Sequence, residues 1–152
     1  MGDTRNTSVP LKHTPDGFMS QECPKCERTF KVAPGKGSSN PVTHCPYCNH
    51  EGEGCWWTKA QAQYICEYGK YGASKLIGPH IDKTARDLTR KTRGNNSLKI
   101  SVNVNKPPVP RAPEEDDDMA ASITFDCCGE TIRHDGNNAQ LYCPICGTTK
   151  PA

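Results

Sequence analysis

The chain has 152 residues, 19 of them Lys or Arg and 17 Asp or Glu, for a formal net charge of +2, and only 34% of it is hydrophobic. That supplies one modest core or two small ones, which excludes a large doubly wound sheet or an α/β barrel. Ten cysteines point instead to a fold organised by sulfur chemistry.

The stretch from Met1 to His13 is polar and lacks the apolar region of a secretory signal. No run approaches the ~18 apolar residues that span a bilayer. Asn6 stands where a myristoylation signal wants Ser or Thr. The expectation is a soluble cytoplasmic chain without membrane contact. In that compartment paired cysteines bind metal more often than they form disulfides.

Residues 1–57 are rich in turn formers and predict short strands joined by tight loops. Here Cys23-Pro-Lys-Cys26 and Cys45-Pro-Tyr-Cys48 form a C-x2-C-x18-C-x2-C array. Two cysteines three apart on a tight turn aim both sulfurs at one point, and two such knuckles complete a zinc tetrahedron. Asn49 tolerates the left-handed backbone that closes a knuckle, whereas Glu27 is less comfortable there. Cys-Pro-Tyr-Cys alone is also a redox motif, but that chemistry needs a helix N-terminus in a βαβ unit. Four thiolates leave no open position, so the ion should be structural.

Residues 58–105 begin as a helix, with Thr58 and Gln61 at capping-box spacing. Gly78-Pro79 should end or kink it and open a second helix over about 79–92. In that second helix Ile81, Ala85 and Leu88 share one face, and Lys83, Arg86, Arg90 and Arg93 the opposite one. Leu98, Ile100, Val102 and Val104 alternate with polar residues and predict a half-buried strand. Residues 106–119 contain four prolines and the acids Glu114 to Asp118, and predict an extended, solvated linker in preference to a Mg²⁺ site.

Residues 120–152 open with a strand at Ile123 and Phe125 and then carry Cys127-Cys128-Gly129 and Cys143-Pro-Ile-Cys146. The second pair is a standard knuckle. Cys128-Gly129 looks like the second half of another, with Phe125 in its first position. The expected ligands are Cys127, Cys128, Cys143 and Cys146. The alternative uses His134 with one of the adjacent pair, or no metal at all. Cys55 and Cys66 are expected as small buried thiols, and His13, His44, His50 and His80 lack ligand spacing. There is no internal repeat beyond the two cysteine-rich ends.

At the two N-terminal pairs the chain resembles the zinc-ribbon superfamily, whose relatives include the N-terminal ribbon of transcription factor IIB. Asp16-Gly17-Phe18, the two knuckles and Trp56-Trp57-Thr58-Lys59-Ala60-Gln61 are similar to small bacterial proteins containing a ribbon of that type. Those proteins carry a Cys-His pair where this chain has Cys127-Cys128, so the resemblance implies that the adjacent pair ligates. It implies fold and metal, but no activity. The expected architecture is a small, mainly β zinc-ribbon protein (α+β) with a central helical segment and two short-stranded modules, each holding one of two zinc ions.

Charge partitions the chain: 1–57 is neutral, 58–105 carries +6, 106–119 carries −3 and 120–152 carries −1. The basic middle predicts nucleic-acid binding through Lys83, Arg86, Arg90 and Arg93, with Tyr64, Tyr68 and Tyr71 available to stack bases or pack the helix. The alternative is a protein-interaction or scaffold subunit of a larger bacterial complex. A linker folded back over the basic helix is a further arrangement. No catalytic triad, paired-carboxylate motif, phosphate loop or small-molecule site is visible, so the chain reads as non-enzymatic.

Overall fold

The computed structural model describes residues 8–33, 41–54, 56–94, 97 and 106–151. The elements are β1 (Met19–Glu22), β2 (Thr29–Val32), α1 (Lys59–Thr92), β3 (Ala121–Thr124), β4 (Thr131–His134), β5 (Gln140–Tyr142) and β6 (Thr149–Pro151). The protein is therefore α+β, its strands three or four residues long and its one helix 34. Among the described residues, 10–33, 41–54, 56–62 and 112–151 form one compact unit, and 8–9, 63–94, 97 and 106–111 form the other. The predicted strand over 98–104 and Cys55 lie outside the described residues. No helix among the described residues is long and apolar enough to cross a membrane.

In the first unit the two cysteine-rich ends do not fold apart. They share one antiparallel sheet in the order β1-β2-β4-β3. β1 pairs with β2 and β3 with β4 in the same way, so Met19–Val32 has its counterpart in Ala121–His134. The β5–β6 hairpin pairs Tyr142 with Thr149, and its counterpart is the bridge between His44 and Glu51. The two halves meet where Lys31 faces Arg133, and these two residues are each other's counterparts. An approximate twofold axis thus passes through that pair. His44 N–H donates to Pro144 O and Tyr142 N–H to Pro46 O, both at 2.9 Å, as the same symmetry requires.

Because side chains alternate along a strand, the sheet has two chemically distinct faces. One carries Met19, Phe30, Val32, Ile123 and Ile132. Together with Tyr47, Trp56, Phe125 and Leu141 these form the core, where Phe30 meets Tyr47 and Trp56 edge-on at 6.3 Å. Burying each large apolar side chain contributes on the order of 1.5–3 kcal/mol. The other face carries a polar row in register across all four strands: Ser20, Lys31, Arg133 and Ser122.

That row meets the acidic residues 114–118, of which Glu115 is buried against it while Glu114, Asp117 and Asp118 stay exposed. Lys31 Nζ lies 3.5 Å from Glu115 and 3.2 Å from Asp118, and it also donates to the carbonyl of Asp116. The side chains of Lys31 and Glu115 are only 3% and 5% exposed. Glu115 accepts further bonds from the Ser20 amide and hydroxyl and from Gln61 Nε2. Arg133 pairs with Asp117 and Asp16 and lies over the Phe18 ring, while Lys12 pairs with Glu114. Two cations directly opposite in a sheet repel, and the acids at 115–118 neutralise them. Lys12, Lys31 and Arg133, all in the sheet unit, are partners of this acidic run.

The capping box forms: Thr58 N–H donates to Gln61 Oε1 at 3.0 Å, and Gln61 N–H to Thr58 Oγ1 at 3.3 Å. From there α1 runs through Gly78-Pro79 without ending there, and its 34 residues correspond to about 51 Å at 1.5 Å per residue. Proline has no N–H, so the Lys75 carbonyl loses its helical donor. Both residues are exposed, and water can satisfy that carbonyl. Tyr64, Tyr68 and Tyr71 follow one another with ring centroids 5.7 and 6.4 Å apart and planes tilted by 52°, and Lys75 Nζ lies 5.4 Å from the Tyr71 ring. Lys106 to Val109 returns along Tyr71, Lys75 and Pro79, leaving a groove of about 470 Å³.

Candidate metal centres and the basic helix

Four loops share one geometry, set by the backbone before any metal is considered. In each, the amide four residues after the first position donates back to that position's carbonyl: Glu27 to Cys23, Asn49 to Cys45, Gly129 to Phe125 and Gly147 to Cys143, at 2.7–3.0 Å. The first position's own amide donates one residue further on, to Arg28, His50, Glu130 and Thr148. Closing such a loop needs a left-handed residue, and φ is 56° at Glu27, 53° at Asn49, 66° at Gly129 and 71° at Gly147.

The third loop has this knuckle backbone with Phe125 in the place of its first cysteine. Phe125 fills the same buried slot as Cys23, Cys45 and Cys143, each at most 1% exposed. Cys127 supplies the missing thiol from the loop's tip.

The loops bring the sulfurs together in two clusters, Cys23, Cys26, Cys45 and Cys48, and Cys127, Cys128, Cys143 and Cys146. Within each, all four Sγ atoms lie within 4.8 Å of one another. Cys23 Sγ is 3.7 Å from Cys48 Sγ, Cys26 Sγ 3.7 Å from Cys45 Sγ, and Cys127 Sγ 3.4 Å from Cys146 Sγ. Each cluster can hold one metal ion. His134 is not part of the second: it sits buried on β4, and its Nδ1 accepts a bond from the Gly136 amide.

The electrostatics fit a cation at each centre. Burial pushes the Cys45 thiol up strongly and the Cys143 thiol up to about 12, against the pull of backbone amides. Thiolates buried in this way need a positive charge between them. For Cys23 burial also opposes ionisation, but amide bonds from Cys26 and Lys25 outweigh it and lower the pKa. Cys146 is lowered to about 6, chiefly by the Thr148 hydroxyl.

The centres are built against each other. The Thr43 and His44 amides both donate to Pro144 O, and the Thr43 hydroxyl donates to Ile145 O at 2.8 Å. A Cβ on Gly147 would come within 2.8 Å of the His44 ring and 3.0 Å of Asn49 Oδ1, so knuckle two packs directly on knuckle four. Arg28 ties the halves together again. It lies 2.6 Å from Asp135, 3.0 Å from Asn138 and 3.7 Å from the Tyr47 ring centroid. The guanidinium holds Asp135 below the usual carboxylate range despite burial that opposes it.

Lys83, Arg86 and Arg90 lie exposed on α1, and Arg93 lies in the turn after it. Asp82 and Asp87 flank this stripe, and Arg90 pairs with Asp87 at 3.5 Å. Cys66 is exposed, correcting the expectation of a buried thiol. Sequence reasoning missed Lys31, Arg133 and Glu115. The signal available was the matched position of Lys31 in Thr29-Phe30-Lys31 and of Arg133 in Thr131-Ile132-Arg133. No family model, curated protein or solved structure matches the chain.

Proposed function

We propose that the chain is a non-catalytic recognition module in which two structural zinc ions brace a small platform and α1 carries a nucleic-acid-binding face. Sulfur spacing supports the metal half of this reading. Four sulfurs ~2.3 Å from a zinc ion stand about 3.8 Å apart, and the close pairs of the N-terminal cluster are 3.7 Å apart. Four thiolates fill the tetrahedron, so neither water nor substrate has a position on the ion. Resemblance to zinc ribbons of the transcription factor IIB type, found in small bacterial proteins, supports the same choice of metal.

The exposed stripe of Lys83, Arg86, Arg90 and Arg93 carries the nucleic-acid half. Asp82 and Asp87 at its edges confine the positive field to one narrow face, as suits phosphate contact more than a general coat of charge. The test is a salt titration of oligonucleotide binding. Four phosphate contacts give a log–log slope of about −3.6, and Arg86→Ala with Arg90→Ala should reduce its magnitude by about 1.8. Absence of binding at about 50 mM salt would reject the nucleic-acid half and leave the metal half standing. Native mass spectrometry tests the latter, with two zinc ions expected.

A second reading, a scaffold or interaction subunit, is favoured by one observation. Ile77, Ile81 and Leu88 on α1 are 40–55% exposed, an apolar row of the kind that lies in a partner's groove. Ile81→Asp would abolish capture of such a partner while leaving nucleic-acid affinity unchanged.

A further inference from the structure

The two metal centres are built on the same backbone but are not chemically equal. In the N-terminal centre Cys23 and Cys45 are both 0% exposed. Cys23 Sγ accepts the amides of Lys25 and Cys26, and Cys45 Sγ the amide of Tyr47. These bonds draw charge from the two sulfurs and the core covers both, so Cys48 is the one exposed ligand of this centre. In the C-terminal centre Phe125 occupies the first buried slot, so only Cys143 is buried. Its replacement, Cys127, and the fourth ligand, Cys146, are both exposed, and their sulfurs are 3.4 Å apart.

We propose that the C-terminal centre is an oxidation-labile site, in which a hydroperoxide couples Cys127 to Cys146 and releases the metal ion while the N-terminal centre keeps its own. This rests on the metal-centre reading above. The Cys127 thiolate attacks the peroxide: an S–O bond forms, the O–O bond breaks, and the departing alkoxide or hydroxide takes a proton from solvent. The Cys146 thiolate then attacks the resulting sulfenic sulfur. The S–S bond forms, the S–O bond breaks, and the hydroxide leaves as water with a second solvent proton. Two thiolates have lost two electrons to one peroxide, which is reduced to an alcohol (or water) and one further water. The sulfurs close from 3.4 Å to the ~2.05 Å of a disulfide, and a cluster with only two thiolates left no longer holds its ion.

The asymmetry follows from Phe125. Sulfenic acid formation depends on thiolate character together with access. Replacing a buried cysteine by phenylalanine moves one of four thiolates from the core to the surface without altering the knuckle. The pairings of β4 with β3 and with β2 lie outside the β5–β6 hairpin, whose loop carries Cys143 and Cys146.

The experiment takes the full chain with its metal bound, counts the ions, and adds a few equivalents of hydrogen peroxide in the presence of a chromogenic chelator. One ion should be released at least tenfold faster than the other. Peptide mapping should then find Cys127 joined to Cys146, with Cys23, Cys26, Cys45 and Cys48 still reduced, and dithiothreitol with added metal should restore two ions. Release of both ions together, loss from the N-terminal centre first, or a disulfide that omits Cys127 would each overturn the proposal. A chain isolated with fewer than two ions would overturn the metal-centre reading itself, a distinct failure visible before any oxidant is added.

Discussion

Glu27 and Asn49 do the same job with unequal ease. Both adopt φ near +55° to close a knuckle, a conformation that Asn tolerates and that costs most other side chains roughly 1 kcal/mol. The carboxylate of Glu27 offers little in return, since its pair with Lys59 is 3.8 Å long and mostly exposed. Glu27→Asn should therefore stabilise the metal-loaded protein by about 0.5–1 kcal/mol, read as a raised melting temperature at an unchanged ion count. Lys31 presents the opposite case, a buried charge whose partners were invisible to local reading. Lys31→Met leaves Glu115 buried without its cation and should cost about 3–5 kcal/mol. In the double variant Lys31→Met with Glu115→Gln most of that loss should be recovered, because no net charge remains buried; denaturant titration of the two chains compares them. The knuckles were legible because all their determinants lie within six residues of sequence. Lys31 was not, since an alternating strand residue reads as solvent-facing until something covers it.

At the scale of the element, α1 and the acidic segment each escaped expectation for a stated reason. Gly78-Pro79 predicts an end or a kink, yet the helix continues through it because water reaches the exposed carbonyl that proline leaves without a donor. Pro79→Ala restores the donor to Lys75 and should add up to ~3 kcal/mol of helix stability, seen as greater ellipticity at 222 nm and a shallower thermal loss of that signal. Gly72 has open space where a Cβ would sit, so Gly72→Ala should add about 0.5–1 kcal/mol by the same readout. If neither substitution changes the helix signal, α1 owes its persistence to packing and not to its own backbone. Composition read the acidic segment as self-repelling and solvated, which holds only for a chain without counter-charges. Lys12, Lys31 and Arg133 supply them, and the first two lie far from that segment in sequence.

For the molecule as a whole, the decisive pairing is the one that sequence could not supply. β2 and β4 are about a hundred residues apart, and only two residue pairs join them, Lys31 with Arg133 and Val32 with Ile132. Yet this short seam turns two metal lobes into one sheet, with Phe30, Val32 and Ile132 in a common core. The lobes should therefore not lose order independently. Cys45→Ser removes one of the N-terminal centre's two fully buried ligands and leaves every C-terminal ligand in place. Were the lobes separate beads, the amides of Ile132 and Arg133 would exchange with solvent as slowly as before. Since their strand completes the sheet against β2, their protection should instead fall by at least tenfold, close to the fall measured at Phe30 and Lys31. Protection that drops on the β2 side alone would mean that each ion orders only its own lobe, and that the seam through Lys31 and Arg133 is a contact between independent folds.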